Sequence, residues 1–541
     1  MRPKGKTLRR SLLAAQFAVL LTVPVALAGC SGTQPAEGAV VQTGERPNQD
    51  VLALPDDLDA QIEEAIAKLP GIAQKALQSS GVPGMAIAVV HGNQTVFSAG
   101  YGVGEQNTDT VVTADTVFQI ASLSKPLSAT GVAATIQASG GALDWNTPIH
   151  ELLPGFKLSD PLVTERATIG DAFSHQLGLA TGAGDDLEDL GYDRDGIVER
   201  LSLQPLDAFR SSYHYSNFGL TIGAEAVAAG QGMPWEQLMD DRVFTPLGMS
   251  SSSVRHDDFL AHDDRARLHA YQHGGFVAKY DRNPDAQSPA GGVSSTANDL
   301  ARWMCMLLAG GEFDGKQIVD ADALRAAMTA QAVSGNGPGI EGRPAHYGYG
   351  FNAAPQVSGR MAISHSGAFV LGAATNFQIV PSLDLGIVVL TNGAPVGVPE
   401  AVTAQFLDQV QYGHSTRDWV SDARGFFAGY AEPIGDLVEA IRPDEPAAPP
   451  PEESLVGVYD NPYFGPLTIE PSTEGLRARL GPEGVTTLEL TPWDGPVFEY
   501  FPRSESAPAR SHASATFGQD GASVTLDSFD GQGFGTWIRR S

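Results

Sequence analysis

At 541 residues the chain exceeds the usual size of one compact domain, so two or more folded units are expected. Hydrophobic residues at 42% and charged residues at 18% are those of a globular protein and exclude a disordered one. With 34 basic against 63 acidic residues the net charge is −29, which repels phosphate backbones and excludes nucleic acid as an expected partner.

The chain opens on a basic cluster, Arg2, Lys4, Lys6, Arg9 and Arg10, followed by an apolar run from Leu12 to Leu27. The run ends in Leu27-Ala28-Gly29-Cys30, which resembles the bacterial lipobox. The expectation is a lipoprotein signal peptide over residues 1–29 with lipid on Cys30; an ordinary secretory signal or an uncleaved anchor is the alternative. The product would be an exported bacterial lipoprotein, membrane-anchored and facing the periplasm or cell surface. Residues 30–54, rich in Gly, Gln, Thr, Pro and Asn, suit a flexible tether. If Cys30 carries lipid, Cys305 has no disulfide partner; its setting, Trp303-Met304-Cys305-Met306, reads as a buried helix and a structural thiol. No later apolar run reaches the length of a membrane span.

A large folded unit is expected over 55–412. It begins with a helix from Leu58 to Leu77, with a break near Pro70-Gly71, because Ile62, Ile66 and Leu69 recur at helical spacing. Met85–Val90 and Thr95–Phe97 read as a hairpin turning at His91-Gly92-Asn93. Helical pattern covers Phe118–Gly140, with Pro126 in its first turn, and recurs at Leu220–Ala229 and Ser295–Ala309. The Gly- and Asp-rich stretch 178–196 reads as loop. Met361–Ser364, Ala373–Val380 and Leu385–Thr391 read as three strands, predicting one antiparallel sheet shared by the two ends of the unit. A helical segment and the Pro-rich acidic linker ending at Glu453 fill 413–453. Eight short strands in 454–541 then predict a small barrel or sandwich.

Three segments carry chemistry. Ser122-Leu-Ser-Lys125 starts a helix, where a spacing of three puts both side chains on one face. A serine hydroxyl needs a base to remove its proton, and burial lowers a lysine's pKa enough to make it that base. Tyr215-Ser216-Asn217 offers a phenol able to exist as phenolate or to relay a proton, and an amide for a substrate carbonyl or for Lys125. His365-Ser366-Gly367-Ala368 offers a ring donor, a glycine against which substrate could lie, and a backbone N–H at Ala368 that could bind an oxyanion with that of Ser122. Each segment alone is weak.

In this order the three segments resemble the serine β-lactamase and penicillin-binding-protein superfamily: Ser-x-x-Lys, then Tyr-x-Asn, then Lys-Thr-Gly or His-x-Gly. Phe173–Gly182, Phe244–Met249, Pro289–Leu300 and Tyr347–Phe351 resemble further conserved segments of these hydrolases, near class C β-lactamases, family VIII carboxylesterases and D-amino-acid peptidases. The resemblance implies an α/β (α+β) fold, an antiparallel sheet flanked by helices with a helical region. It implies Ser122 as nucleophile, Lys125 as base, Tyr215 as proton-transfer partner, and Asn217, His365, Gly367 and Ala368 around substrate. His365 stands where β-lactamases carry a lysine, which points from β-lactams toward esters or small peptides. The C-terminal strands resemble the lipocalin-like β-domains appended to such hydrolases, which in some relatives cap the active site or mediate homo-oligomers. No cofactor and no metal is implied: there is no His-Glu-x-x-His or Cys/His cluster. The lack of a Gly-x-Ser-x-Gly elbow disfavours an α/β-hydrolase. One Gly-x-Gly-x-x-Gly match, Gly337–Gly342, has no apolar strand before it and reads as chance. The alternative from another class is a catalytically silent surface lipoprotein that binds peptidoglycan or a protein partner.

Overall fold

The computed structural model describes residues 52–337 and 342–540. The expected leader, Cys30, nearly all of the tether and most of the Gly337–Gly342 segment lie outside the described residues.

The first helix, α1 (Leu58–Ser80), is capped by the Asp57 carboxylate at its start and ends on Gly81 at φ +78. It runs unbroken through Pro70, against expectation. Proline removes one backbone hydrogen bond, but Ile62, Leu69, Ala73 and Ala76 are buried in the cluster beneath the sheet, and that packing holds the helix through the gap. Strands β1 (Gly84–His91) and β2 (Gln94–Gly102) form the predicted hairpin. Gly92 and Asn93 both take φ +59, the two-residue turn whose twist matches that of the strands.

Next come α2 (Ser124–Ala138), the short α3 (Asp185–Asp189), α4 (Asn217–Gln231) and α5 (Ala297–Leu308). The 178–196 stretch is thus partly helical, not loop throughout. Helix α2 is buried on every side from Ser124 to Thr135, so its hydroxyls bond inward: Ser128 donates to Pro289 O (2.6 Å) and Thr130 to Pro126 O (2.9 Å). Cys305 is a buried free thiol on α5.

Six more strands follow: β3 (Ala332–Gly335), β4 (Ala345–Tyr347), β5 (Asn352–Pro355), β6 (Met361–Phe369), β7 (Ala373–Val380) and β8 (Leu385–Thr391). They join the hairpin in one antiparallel sheet of order β2-β1-β8-β7-β6-β5-β4-β3. Met85 pairs with Thr391, so the first and last strands of the unit are neighbours, as predicted. Strand β6 runs five residues past the predicted end at Ser364, which places His365–Ala368 inside the strand. Alternation then sends Ile363 to the face covered by α5 and α2, and Ser364 and Ser366 to the opposite face. That opposite face is covered by α1 and α6 (Val398–Tyr412), with α7 (Trp419–Phe427) packed beside α6.

The last eight strands, β9 (Gly457–Asp460), β10 (Leu467–Ser472), β11 (Gly475–Leu480), β12 (Thr486–Asp494), β13 (Val497–Tyr500), β14 (Ala513–Phe517), β15 (Ser523–Leu526) and β16 (Thr536–Arg539), close into a barrel. Closure removes the exposed strand edges that so short a sheet would otherwise present. The barrel is not a free appendage. Tyr463, Phe464 and Trp537 share a buried cluster with Leu187, Leu190 and Phe218 of the first unit. The linker is likewise held: Arg442 donates to Pro492 O (2.9 Å) and Trp493 O (3.0 Å).

Candidate active site

Ser122 sits on a tight turn, Ala121–Leu123, between a two-residue strand and α2. The turn is fastened on both sides. Thr375 donates to Ile120 O (2.8 Å), Ser124 Oγ donates to Ala121 O (2.7 Å), and Val293 N donates to Ser124 Oγ (2.9 Å). Ala121 is held at φ +48, a left-handed conformation that costs a non-glycine residue about 1–2 kcal/mol. The result is a half-buried serine at the start of a helical run, where the first N–H groups have no intrahelical acceptor.

Lys125 rises from the first turn of α2 into a fully buried position. Its Nζ lies 3.1 Å from Ser122 Oγ, 2.7 Å from Asn217 Oδ1 and 2.9 Å from Ala290 O. Two of these neighbours can only accept, while the serine hydroxyl can also donate. A neutral amine, with two N–H donors and one lone pair, therefore satisfies all three when Ser122 O–H points at nitrogen. Burial favours that form: it lowers the Lys125 pKa to about 7, opposed by the negative charge of Asp185.

Asn217 opens α4, with Ser216 as the cap whose hydroxyl accepts from Gly219 N. Of the two ligand roles left open for Asn217, the structure places it on Lys125. Its Nδ2 donates to both oxygens of Asp185 (3.1 and 3.2 Å), which fixes Oδ1 toward the lysine. Asp185, at the start of α3, is buried and its pKa is raised to about 8 by desolvation and by the nearby Glu188. The lysine and the carboxyl are thus both shifted toward their uncharged forms.

The Tyr215 ring lies under Lys125, with Nζ 4.5 Å from its centroid. Its hydroxyl is buried and has no partner in hydrogen-bonding geometry, though it is close enough to Ser122 for that contact to favour ionisation. Burial outweighs this and pushes the phenol well above its ordinary pKa. The tyrosine is therefore a neutral O–H, not the phenolate contemplated from sequence.

His365 departs from expectation. It is almost wholly buried; Nδ1 lies 2.7 Å from Ser366 O and Nε2 lies 2.9 Å from Tyr347 Oη. The carbonyl can only accept, so Nδ1 carries the proton and Nε2 accepts from the tyrosine. Neither nitrogen is left to donate to a substrate. Desolvation and Lys125 lower its pKa to about 3, so it supplies no cation either. Gly367 also has a reason different from the predicted one. A Cβ there would stand 2.2 Å from Ile120 O and 3.0 Å from Ser122 N, so the glycine lets β6 press against the serine turn itself. Ala368 lies beyond Ser364, the last β6 residue paired with β5, on a stretch whose outer edge has no strand partner among the described residues.

Several participants were given no role from sequence, although Ala290 and Tyr347 lie in segments that resemble those of the superfamily. Ala290 contributes a backbone carbonyl, Asp185 lay in a stretch read as loop, and Tyr347 acts through a ring 18 residues from His365. Glu505, from the barrel, accepts from Val370 N (2.5 Å) and Leu371 N (3.2 Å) in the turn that follows β6. Tyr463, also from the barrel, donates to Asp186 on α3 (3.1 Å), and Asp189 accepts from the backbone N–H groups of Glu505 and Ser506. The barrel thus grips both the helix that carries Asp185 and the turn next to Ala368.

Known proteins place this arrangement. A penicillin-binding protein 4 from Amycolatopsis lactamdurans is 32% identical over 327 residues, covering 58% of this chain and 81% of that protein. Esterase EstB from Burkholderia gladioli is 26% identical over 388 residues, covering 64% of this chain and 94% of the esterase. The fold matches that of the octameric penicillin-binding protein homologue from Pyrococcus abyssi, with a TM-score of 0.55 at 16% identity over 85% of this chain and 98% of that one. The profile of the β-lactamase family matches residues 62–412. With that span, most of the hydrolase unit, the chain belongs to the β-lactamase family.

Proposed function

We propose that this protein is an exported, lipid-anchored serine hydrolase that cleaves esters or small peptides and amides through an acyl-enzyme on Ser122. The observation that carries the reading is the buried Lys125 amine, 3.1 Å from Ser122 Oγ with its pKa lowered to about 7. Lys125 takes the Ser122 proton as Oγ attacks the substrate carbonyl. The oxyanion that forms is met by the N–H groups of Ser122 and Ala368. The proton then passes from Lys125 through the Tyr215 hydroxyl to the leaving oxygen or nitrogen, and the carbonyl re-forms as the acyl-enzyme. Water, deprotonated by the same pair, attacks the acyl carbon and releases Ser122.

Substrate preference follows from the third segment. With His365 neutral and internally bonded, that position offers no fixed cation to a β-lactam or peptide carboxylate, which favours esters and uncharged amides. The similarity to an esterase over 94% of that enzyme's length agrees with this. Export and lipid attachment at Cys30 rest on the basic, apolar and Leu-Ala-Gly-Cys order of the first thirty residues.

A fluorophosphonate probe followed by peptide mass spectrometry tests the reading. The expected adduct is on Ser122, and it is absent from Ser122→Ala. A folded protein that takes no adduct overturns the hydrolase reading in favour of a binding lipoprotein. Hydrolysis of p-nitrophenyl butyrate faster than D-Ala-p-nitroanilide is expected; the reverse order assigns a peptidase.

A further inference from the structure

The sheet face covered by α1 and α6 changes character across its width. On β1 and β8 it is apolar, with Met85, Ile87, Val89, Ile387 and Val389 in one buried cluster. On β6 and β7 the same face presents Ser364, Ser366, Asn376 and Gln378, and here the helices do not close onto the sheet. They leave a pocket on the side of β6 away from Ser122. Its far wall is Leu407 of α6 with Trp419, Phe426 and Phe427 of α7.

The pocket's unpartnered side-chain atoms are all oxygens. Glu400 Oε2, Asn376 Oδ1, Gln356 Oε1 and Gln411 Oε1 are buried without a partner in the protein, and all belong to residues that line this space. The Asn376 orientation is set by its own bonds, since Nδ2 donates to Ser366 Oγ (3.0 Å) and His365 O (3.4 Å), leaving Oδ1 over. The Gln411 orientation is set likewise by Nε2 donating to Leu407 O (3.3 Å). No Lys or Arg is among the lining residues. Unpartnered buried acceptors, one of them an oxygen of the Glu400 carboxyl, are costly, and a ligand rich in N–H donors satisfies several of them at once. Aromatic walls beside a carboxylate select an organic cation over a hydrated metal ion, which keeps its waters and needs more oxygen ligands. Burial raises the Glu400 pKa to about 7 while Ser366 lowers it, so a bound cation would draw the group to its ionised form.

We propose that this pocket is a second binding site, separate from the Ser122 cleft, for an organic ammonium: a primary or secondary amine on a hydrophobic body. Its N–H groups are directed at Glu400 and Asn376, and its body lies against Phe426 and Leu407. Titration calorimetry with phenethylammonium, and with 2-phenylethanol as the neutral counterpart, tests this on the full chain. The ammonium is expected to bind at least about tenfold more tightly than the alcohol. Glu400→Gln should abolish that difference, and Ala404→Phe, which adds a ring to the pocket's lining, should abolish binding of both. Binding should persist after Ser122 is blocked with a fluorophosphonate; loss on blocking would place the ligand in the catalytic cleft and overturn the proposal. Equal affinity for amine and alcohol, or an unchanged preference in folded Glu400→Gln, overturns it as well. Neither outcome bears on acylation of Ser122, which the adduct assay reads independently.

Discussion

Asp185 holds Asn217 by a single nitrogen, with Nδ2 placed 3.1 and 3.2 Å from the two carboxyl oxygens, and so decides which end of the amide meets Lys125. Without that grip the amide is free to turn its N–H₂ toward the lysine, where it would compete with the Ser122 proton for the amine. Asp185→Ala is therefore expected to lower kcat roughly tenfold to a hundredfold with little change in KM, the scale of misplacing a catalytic group. Steady-state kinetics on a protein of unchanged melting profile would check it; an unaltered kcat removes Asp185 from the positioning network.

The same pair sets a pH signature. Lys125 acts as a base only when neutral, so kcat/KM should rise with pH along a limb centred near 7 and level off above it. Asp185 is itself shifted toward its uncharged form, with its pKa raised to about 8, so Asp185→Asn should leave the limb near 7. A profile flat between pH 5 and 9 would show that some other group takes the serine proton.

Gly367→Ala places a methyl 2.2 Å from Ile120 O and 2.4 Å from Thr375 Oγ1. Neither the strand nor the serine turn can yield without moving the other. A stability loss of about 1–3 kcal/mol is expected. Activity should fall by at least about tenfold, since Ser122 N lies in the same contact. Denaturant melts and kcat/KM together would test this; retention of full activity would separate the glycine from the serine turn.

Much of this was legible from the chain alone, and the boundary is physical. Ser122, Lys125, Tyr215 and Asn217 were legible because their segments, each weak alone, follow the order of the superfamily they resemble, and each segment is short and contiguous. All eight barrel strands were readable from alternation and turn residues. What stayed hidden acts across long sequence separation: the Ala290 carbonyl, the Asp185 carboxyl and the Tyr347 hydroxyl bear no local mark of what they bond. Pro70 was read as a break because local propensity is blind to the core that holds α1 together. The strand that carries His365 looked shorter than it is because Ser366 and Gly367 interrupt its apolar pattern, one facing the reverse-side pocket and the other the serine turn.

Glu505→Ala tests whether the barrel shapes the site. The substitution leaves Val370 N and Leu371 N without their acceptor and removes a carboxylate that faces Arg282. We expect a stability loss of about 2 kcal/mol. A roughly tenfold drop in kcat/KM should accompany it, because the freed turn adjoins Ala368. Loss of stability with undiminished turnover would reduce the contact to simple docking.

That contact has a consequence for how the molecule fails. The barrel touches the hydrolase at the two places where small displacements matter most, the helix of Asp185 and the turn after Ala368. Damage deep in the barrel would then silence turnover at a distance, before either half had lost its fold. The two units are coupled through those two contacts, so a change selected in one would be constrained by the chemistry of the other.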